Sequence, residues 1–580
     1  MAYFVAVWIL MLLACFCVGT AILQALHIHK RFCEGDRFIL AEWIGLLALA
    51  ISSFSVTLFV PLSLPVSLGL GTVLLSLALS SSDVRLALKQ TWKVCPTGVK
   101  LSGFLGLCAI ALYATRSVTW IDTGLYHVST IKWLVQYGTV PGVALIHDRL
   151  GFASSWFSLI ALFNPALTGM RAIAIPNGFV AILSVLHLLI GIRTICRFSP
   201  RLADWFIVIA NSLLIFLLLG STLFTELLAS ASPDIPIIFL TILTAWFILV
   251  IQDPQTIQPD KTNATPWAIA ILPLFFGING FAIKLTAIPL LVMTLLFYSL
   301  HVRFHFKALL KGAVLTVLLL LPIAISGQIT SGCPFYPSTL LCTDVPWSLA
   351  TQLQGYALAP TVGIRNWFPE VLPDTRLLPW AISFWLGIEV MNQVMAALLL
   401  VSLALMGYMV WRWGIVRFSS MAFVPLLGLL GSLFIAVLSP GIRFGLGYLA
   451  IIPVWGLAKL LFSVTQSRPN AMRRFTHLLT LLQRQSKWIS WALMVIYAFG
   501  FAMSLGHSGV RARLAFPPAL PTAEVTAVQL NDVHYVYPAT PEASVLCWGA
   551  ELPCSTGSIQ VNIRLRQSDA GLSGGFEYAP

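Results

Sequence analysis

Repeated apolar stretches of about 20 residues, separated by short charged loops, restrict this chain to very few kinds of fold. Of its 580 residues, 58% are hydrophobic and 9% are charged, and its mean hydropathy is +0.90. A water-soluble domain has no core large enough to hide so much apolar surface. A run of about 20 apolar residues, in contrast, matches the hydrocarbon thickness of a bilayer as a helix. The pattern predicts an all-α polytopic membrane protein whose solvent is the lipid bilayer.

Hydropathy predicts about 13–14 transmembrane helices. Residues 1-100 would form N-terminal helices, 101-506 a membrane core, and 507-580 a polar tail. Met1–Gln24 is apolar without a basic start or a small-residue cleavage site, and we interpret it as a first span. The predicted spans lie near 3-25, 38-60, 62-82, 101-115, 171-192, 205-224, 235-252, 267-283, 285-300, 312-327, 385-411, 419-438, 445-463 and 489-506.

The basic residues are divided unevenly between the two ends of these spans. The loops on one side hold 21 of the 34 Lys and Arg residues, and Lys459 lies inside a span. Because basic loops stay in the cytoplasm, loops 116-170 and 328-384 and the tail 507-580 are expected outside the cytoplasm. The net charge of +13 is spread over many loops and forms no single patch, so nucleic-acid binding is not expected.

The segments predicted outside the cytoplasm contain two close cysteine pairs. Cys333 and Cys342 share one loop, and Cys547 and Cys554 share the tail. Disulfides persist in oxidising compartments, so both pairs are expected to be bonded, with unrelated thiols as the alternative. β-like runs at Val533–Tyr537 and Ile559–Leu565 predict a small strand-rich cap in the same tail.

Thr115–Phe152 is the stretch richest in polar groups between apolar regions. Charged side chains near lipid are costly and commonly functional. Asp122 and Tyr126 are four residues apart, and His127 follows, so a helix would align the three on one flank, with Tyr126 as a candidate substrate-binding residue. Asp122 is a candidate general base or metal ligand; as an alternative or in addition, it caps the helix that follows. For His127, a supporting catalytic role and a satisfied interfacial histidine remain equal alternatives. Gly151–Phe163 is too short to span and predicts an interfacial or re-entrant helix.

Two more acids fall on a short turn predicted at the same membrane level. Glu226 and Asp234 lie in a turn without basic residues. Together with Asp122 they would offer three carboxylates to a hard divalent cation such as Mg²⁺ or Mn²⁺. The alternative is a purely topological turn, because acids are tolerated on either face.

Few basic residues are predicted outside the cytoplasm, and three of them are candidate substrate-binding residues. Arg149, Lys284 and Arg443 would contact a phosphate, Arg as a planar fork and Lys as a point charge. The alternative for Lys284 is a side chain that snorkels to the interface. Asp344 follows Tyr336 in a proline-rich outside loop; a carboxylate with aromatics suits sugar recognition, although connectors have the same composition.

Several of these motifs carry a family resemblance. The segments IDTGLYHVSTIKW, YGTVPGVALIHDRLGF, SPDIP, KLTAIPL, CPFYPS, DVPWS, RFGLGYL and CWGAELPC resemble a group of poorly characterised bacterial polytopic proteins placed near the GT-C superfamily of membrane glycosyltransferases. The likeness covers most of the chain from about residue 100 onward. It implies a GT-C-like fold in the bacterial inner membrane.

The same resemblance implies roles for individual residues. In GT-C enzymes the acid of the first large outside loop is catalytic, which here corresponds to Asp122. Their donor is commonly a polyprenyl-phosphate sugar held by basic residues, for which Lys284 and Arg443 are the candidates. Three predicted spans precede the one that enters the loop, and no second acid adjoins Asp122. Both features depart from the simplest GT-C plan.

The resulting hypothesis is a glycosyltransferase that moves a sugar from a lipid-phosphate donor to a glycan, lipid or protein acceptor. One alternative is a transporter or flippase of lipid-linked glycans, which would show charges in mid-span or broken helices. Another is a non-catalytic membrane protein of envelope assembly.

Overall fold

The computed structural model describes residues 1–163, 168–197, 200–253, 267–349, 383, 385–419, 422–467, 508–539, 546–555 and 562–579. Within them the fold is mostly helical. The helices are α1 (Ala2–Ala25), α2 (Glu34–Thr57), α3 (Leu64–Ser80), α4 (Ser82–Val94), α5 (Thr97–Ala114), α6 (Val128–Gln136), α7 (Ser155–Leu162), α8 (Ile175–Arg197), α9 (Leu202–Gly220), α10 (Thr222–Leu228), α11 (Asp234–Gln252), α12 (Trp267–Ile283), α13 (Ile288–His301), α14 (Phe306–Ser331), α15 (Val390–Ser419), α16 (Phe423–Leu438), α17 (Ile442–Ser467) and α18 (Ser508–Arg511).

Nine helices of the described part are long and apolar enough to cross a membrane: α1, α2, α5, α8, α9, α11, α14, α15 and α17. The bent pair α3–α4 would make a tenth. The three shorter apolar helices, α12, α13 and α16, coincide with the remaining predicted spans that the structure describes. The multi-pass helical prediction is therefore confirmed. The predicted span 489-506 lies outside the described residues, as does most of the loop 328-384.

The core of the bundle is built around α11. All but its last residue are buried, because α8, α9, α12, α16 and α17 surround it. A helix that is apolar on every side is stable only when neighbours cover every side. The short α7, predicted as an interfacial or re-entrant helix, is likewise buried along its whole length and packs against α2 and α6. It does not lie on an exposed surface.

An ion cluster ties three elements together at one end of the bundle. Arg201 donates hydrogen bonds to Asp36 at the start of α2, at 2.7 and 3.1 Å, and to Asp204 on α9, at 2.6 Å. A guanidinium that binds two carboxylates offsets the cost of burying all three charges. The loop after α5 and the C-terminal tail both lie at the opposite end, which we call the loop end.

The tail forms the small cap expected from its β-like runs. Strands β1 (Val525–Leu530) and β2 (Val533–Pro538) pair antiparallel, and so do β3 (Ile563–Leu565) and β4 (Phe576–Tyr578). The Cys333–Cys342 and Cys547–Cys554 bonds are both present, and these are the pairs expected from their spacing. The cap docks on the bundle: the Phe576 N–H donates to the carbonyl oxygen of Pro141 at 2.9 Å.

Candidate functional site

The Asp122 region forms a continuous helical segment with one widened turn. Thr123–His127 is a π-helical turn that runs directly into α6. Such turns are rare in proteins overall, but they are frequent at functional sites. The extra residue in the turn redirects the side chains around it. Asp122 precedes the turn but makes no capping hydrogen bond, so the predicted helix-cap role is wrong. Its carboxylate points to two arginines instead.

Asp122 is held between guanidinium groups from two distant parts of the chain. Arg149 Nη1 donates to Oδ1 at 3.3 Å, and Arg443 Nη1, at the start of α17, donates to Oδ2 at 2.8 Å. The Asp122 side chain is 16% exposed, Arg443 20% and Arg149 41%. The carboxylate is thus sheltered but not fully enclosed.

A second ion pair adjoins the first. Lys284, between α12 and α13, donates from Nζ to Asp234 Oδ1, and Ser232 Oγ donates to Asp234 Oδ2 at 3.0 Å. Asp234 is almost fully buried and its charge acts on Arg443. Lys284 therefore does not snorkel: its ammonium is bound inside the cluster.

Aromatic rings line these charges. The Arg443 guanidinium lies 4.7 Å from the ring centre of Trp120 and 4.4 Å from that of Phe444. Lys284 Nζ lies 4.3 Å from the same Phe444 ring, and Arg149 lies 5.6 Å from the Tyr126 ring. Cation–π contacts hold the basic groups in place while leaving their N–H groups available to a ligand. Both basic centres thus contact the one Phe444 ring.

The environment sets the charge of each central group. Burial alone would raise the pKa of Asp122, but the guanidinium groups of Arg443 and Arg149 hold it below its usual range. Burial lowers the pKa of His127 to about 3, and its Nδ1 lies 3.3 Å from Thr123 Oγ1. Asp122 is therefore ionised and His127 neutral near pH 7. Three basic and two acidic side chains leave the cluster with one excess positive charge.

The C-terminal cap packs directly on the helical turn that carries Asp122. The backbone N–H of Trp548 donates to the carbonyl oxygen of Gly124 at 3.0 Å. A Cβ on Gly124 would lie 2.6 Å from the Trp548 ring, so only glycine permits this approach. Lys132 Nζ, on α6, donates to the carbonyl oxygens of Gly549 and Ala550. The Cys547–Cys554 loop of the tail thus holds both the π-helical turn and α6 in place.

The remaining predicted residues are not part of this arrangement. Glu226 is half-buried on α10, and Asp344 is exposed in the loop after α14. In the described part of the chain no three His, Cys, Asp or Glu side chains come close enough to hold a metal ion. The three-carboxylate site is therefore not formed by those residues, since Asp234 binds Lys284. A requirement for Mg²⁺ or Mn²⁺ stays a prediction.

Sequence reasoning missed three residues. Trp120 and Trp548 were not singled out because tryptophans at a membrane surface are common anchors. Glu42 was overlooked although it interrupts the apolar run of α2. It is fully buried, and neither carboxylate oxygen has a hydrogen-bond partner among the described residues. The sequence signal that identifies Glu42 is a lone acidic residue inside a predicted span.

Residues 1–450 match the family model described as a domain of unknown function, DUF8201. The chain belongs to this family. The match includes Asp122, Arg149, Asp234, Lys284 and Arg443 but ends before the tail that carries Trp548. No curated protein and no solved structure matches the chain.

Proposed function

We propose that the protein is an integral membrane glycosyltransferase of GT-C type. It would move a sugar from a polyprenyl-phosphate donor to a glycan, lipid or protein acceptor at the extracytoplasmic face of a bacterial inner membrane. The observation that carries the proposal is the ionised Asp122 carboxylate, held between Arg149 and Arg443 beside the Lys284–Asp234 pair. A sheltered, ionised carboxylate among basic groups suits transfer from an anionic leaving group.

The charge balance of the cluster favours a phosphate ligand. Its excess positive charge attracts an anion, and Arg149 and Arg443 present N–H groups that fit phosphate oxygens as a fork. Lys284 adds a point charge beside the same Phe444 ring that Arg443 contacts. All three lie at the loop end of apolar helices, where the head of a lipid-anchored donor would sit.

Donor binding would prepare Asp122 for its part in transfer. A phosphate competes with the carboxylate for the N–H groups of Arg149 and Arg443. As those hydrogen bonds are shared, Asp122 becomes a better acceptor for the hydroxyl proton of the incoming acceptor. The acceptor oxygen then bonds to the anomeric carbon, and the bond from that carbon to the phosphate oxygen breaks. The basic groups stabilise the polyprenyl phosphate that leaves.

His127 would position this carboxylate rather than carry a proton. Its pKa near 3 makes it a poor proton acceptor at neutral pH. The His127 ring packs against two aromatic rings: its centre lies 4.4 Å from that of Tyr126 and 5.0 Å from that of Phe157. A neutral, closely packed imidazole holds the turn that aims Asp122 at the arginines.

Asp122→Asn tests the proposal. Asn preserves the size of the side chain but not the charge, and loss of a general base typically lowers the rate by about 10²–10⁴. Asp148→Asn is the matched control, because Asp148 lies in the same loop with its side chain 58% exposed. The measurement is transfer of labelled sugar from a polyprenyl-phosphate donor in membranes, at equal protein levels. Near-wild-type transfer by Asp122→Asn would remove Asp122 as the catalytic centre.

One observation favours the flippase alternative. Glu42 is a buried carboxyl inside a candidate span and is without a hydrogen-bond partner for its oxygens in the described part of the chain. Proton-coupled carriers place such acids within the membrane. Under this alternative, Glu42→Gln abolishes lipid-linked glycan translocation in reconstituted vesicles while Asp122→Asn has a smaller effect. Under the transferase proposal, Asp122→Asn lowers sugar transfer more than Glu42→Gln does.

A further inference from the structure

Helix α4 departs from the direction of the span that precedes it. The apolar α3 exposes large side chains along its length, Leu68, Val73 and Leu77 each by more than half. Surface of this kind is stable only against lipid acyl chains. At Ser81 the chain bends by 91° into α4. If α3 crosses the bilayer, α4 lies parallel to the membrane plane at the level where α3 ends.

The two faces of α4 are unlike. Val84 is fully buried against Cys17 of α1 and Ala78 of α3, and Leu88 packs with them. The free face carries Arg85, Lys89 and Lys93, which recur every fourth residue and are exposed. Such spacing places the three on one stripe of a helix. Protein therefore covers the side that holds Val84 and Leu88, while the described part of the chain leaves the basic side uncovered.

Large apolar side chains flank this basic stripe. Trp92 is 70% exposed and Leu86 53%. Trp92 also packs under Lys100, whose Nζ lies 4.2 Å from the ring centre. An exposed tryptophan beside lysines is unfavourable in water but typical of the headgroup layer, where the ring meets acyl chains and the ammonium meets phosphate.

The charge of this segment selects one kind of lipid. Residues 82–100 contain one acid, Asp83, against Arg85, Lys89, Lys93 and Lys100. Arg85 is engaged with the carbonyl oxygens of Leu79 and Ser80 at the end of α3. Lys89 and Lys93 remain for an external anion, and a lysine near an anionic leaflet favours binding by about fivefold.

We propose that α4 is an interfacial helix that binds anionic phospholipid headgroups through Lys89 and Lys93 and anchors in the acyl region through Trp92. The binding surface is on the opposite end of the bundle from the Asp122 cluster, so it is independent of the proposed glycosyltransferase activity.

Photo-crosslinking of the full-length protein tests this. Trp92 is replaced by p-benzoyl-phenylalanine, and the protein is reconstituted in nanodiscs of phosphatidylcholine with a minor share of phosphatidylglycerol. After illumination, mass spectrometry identifies the attached lipids. The ratio of phosphatidylglycerol to phosphatidylcholine among the adducts is expected to exceed that of the bilayer by about fivefold per engaged lysine. The same reporter at Leu77 on α3 is expected to label acyl chains without headgroup preference.

A second protein carries both Lys89→Gln and Lys93→Gln together with the photo-crosslinker at position 92. It separates the contribution of the lysine charges from the insertion of residue 92 into the bilayer. Lipid adducts are expected to persist while the phosphatidylglycerol preference disappears. The proposal is overturned if position 92 yields no lipid adducts while Leu77 does, or if the preference is unchanged in the double variant. Both lysines are exposed, so the substitutions do not disturb the core, and size-exclusion profiles check that the fold is intact.

Discussion

At the scale of single residues, His127 shows how burial and function are linked. Folding lowers its pKa from 6.5 to about 3, so the folded state disfavours the protonated imidazole. The unfolded chain therefore binds more protons between these two values, and stability is lost as the pH falls below about 6.5. The loss reaches about 2 kcal/mol at pH 5, because each pH unit contributes about 1.4 kcal/mol.

The His127→Gln variant is expected to lack this part of the pH dependence. Apparent unfolding midpoints in detergent at pH 7.5 and pH 5 measure it, as the difference between wild type and variant. The pH range stays above the titration of Asp122, so the carboxylate does not contribute. His534→Gln on the exposed face of β2 serves as control and should behave as wild type. An equal pH response in His127→Gln would show that the buried imidazole is not responsible.

At the scale of elements, the Cys547–Cys554 loop acts on the helical turn of Asp122. Trp548 packs on Gly124, and Lys132 binds carbonyl oxygens of the same loop. A disulfide restricts the alternatives open to a short loop and typically stabilises by about 2–4 kcal/mol. We expect Cys547→Ser with Cys554→Ser to increase hydrogen exchange across residues 121–136, by local release rather than global unfolding.

The Cys333→Ser with Cys342→Ser pair is the matched control for this prediction. That disulfide also lies near the loop end, but residues 121–136 contact the Cys547–Cys554 loop directly. Exchange in 121–136 should therefore change less in the control. Equal exchange in both double variants would mean that the cap does not hold the Asp122 turn.

At the scale of the whole molecule, the N-terminus and the start of the C-terminal tail meet on one side of the bundle. The amino group of Met1 donates to the carbonyl oxygen of Arg513 at 2.7 Å. Thr57, at the end of α2, has its hydroxyl oxygen 3.2 Å from that of Thr139 in the loop after α6. Since basic loops concentrate at the other end, the positive-inside rule predicts that the N-terminus, loop 116-170 and the tail lie outside the cytoplasm.

Cysteine labelling in intact cells measures this topology. An impermeant maleimide is expected to label a cysteine introduced at Asp148 or at Tyr537 without breaching the membrane, and one at Lys307 only after breaching. The opposite order would reverse the orientation. Labelling of Asp148 and Tyr537 from different sides would contradict the shared loop end itself.

Features that depend on local composition could be predicted from the amino-acid sequence. Hydropathy over about 20 residues located the helices, because the bilayer acts on each segment separately. Close spacing indicated the Cys333–Cys342 and Cys547–Cys554 bonds. The acid at Asp122, in a polar stretch between apolar regions, indicated the central residue of the candidate site.

Which distant groups meet depends on how the helices pack, and no local pattern in the sequence predicts it. Asp122 binds Arg443, which is 321 residues away, and Lys284 binds Asp234. Packing of α11, α12 and α17 brings these charges together, and once they are close, their desolvation makes pairing obligatory. The contact of Trp548 with Gly124 likewise depends on how the tail docks on the helical turn. Neither the sequence of the tail nor that of the turn predicts this contact by itself.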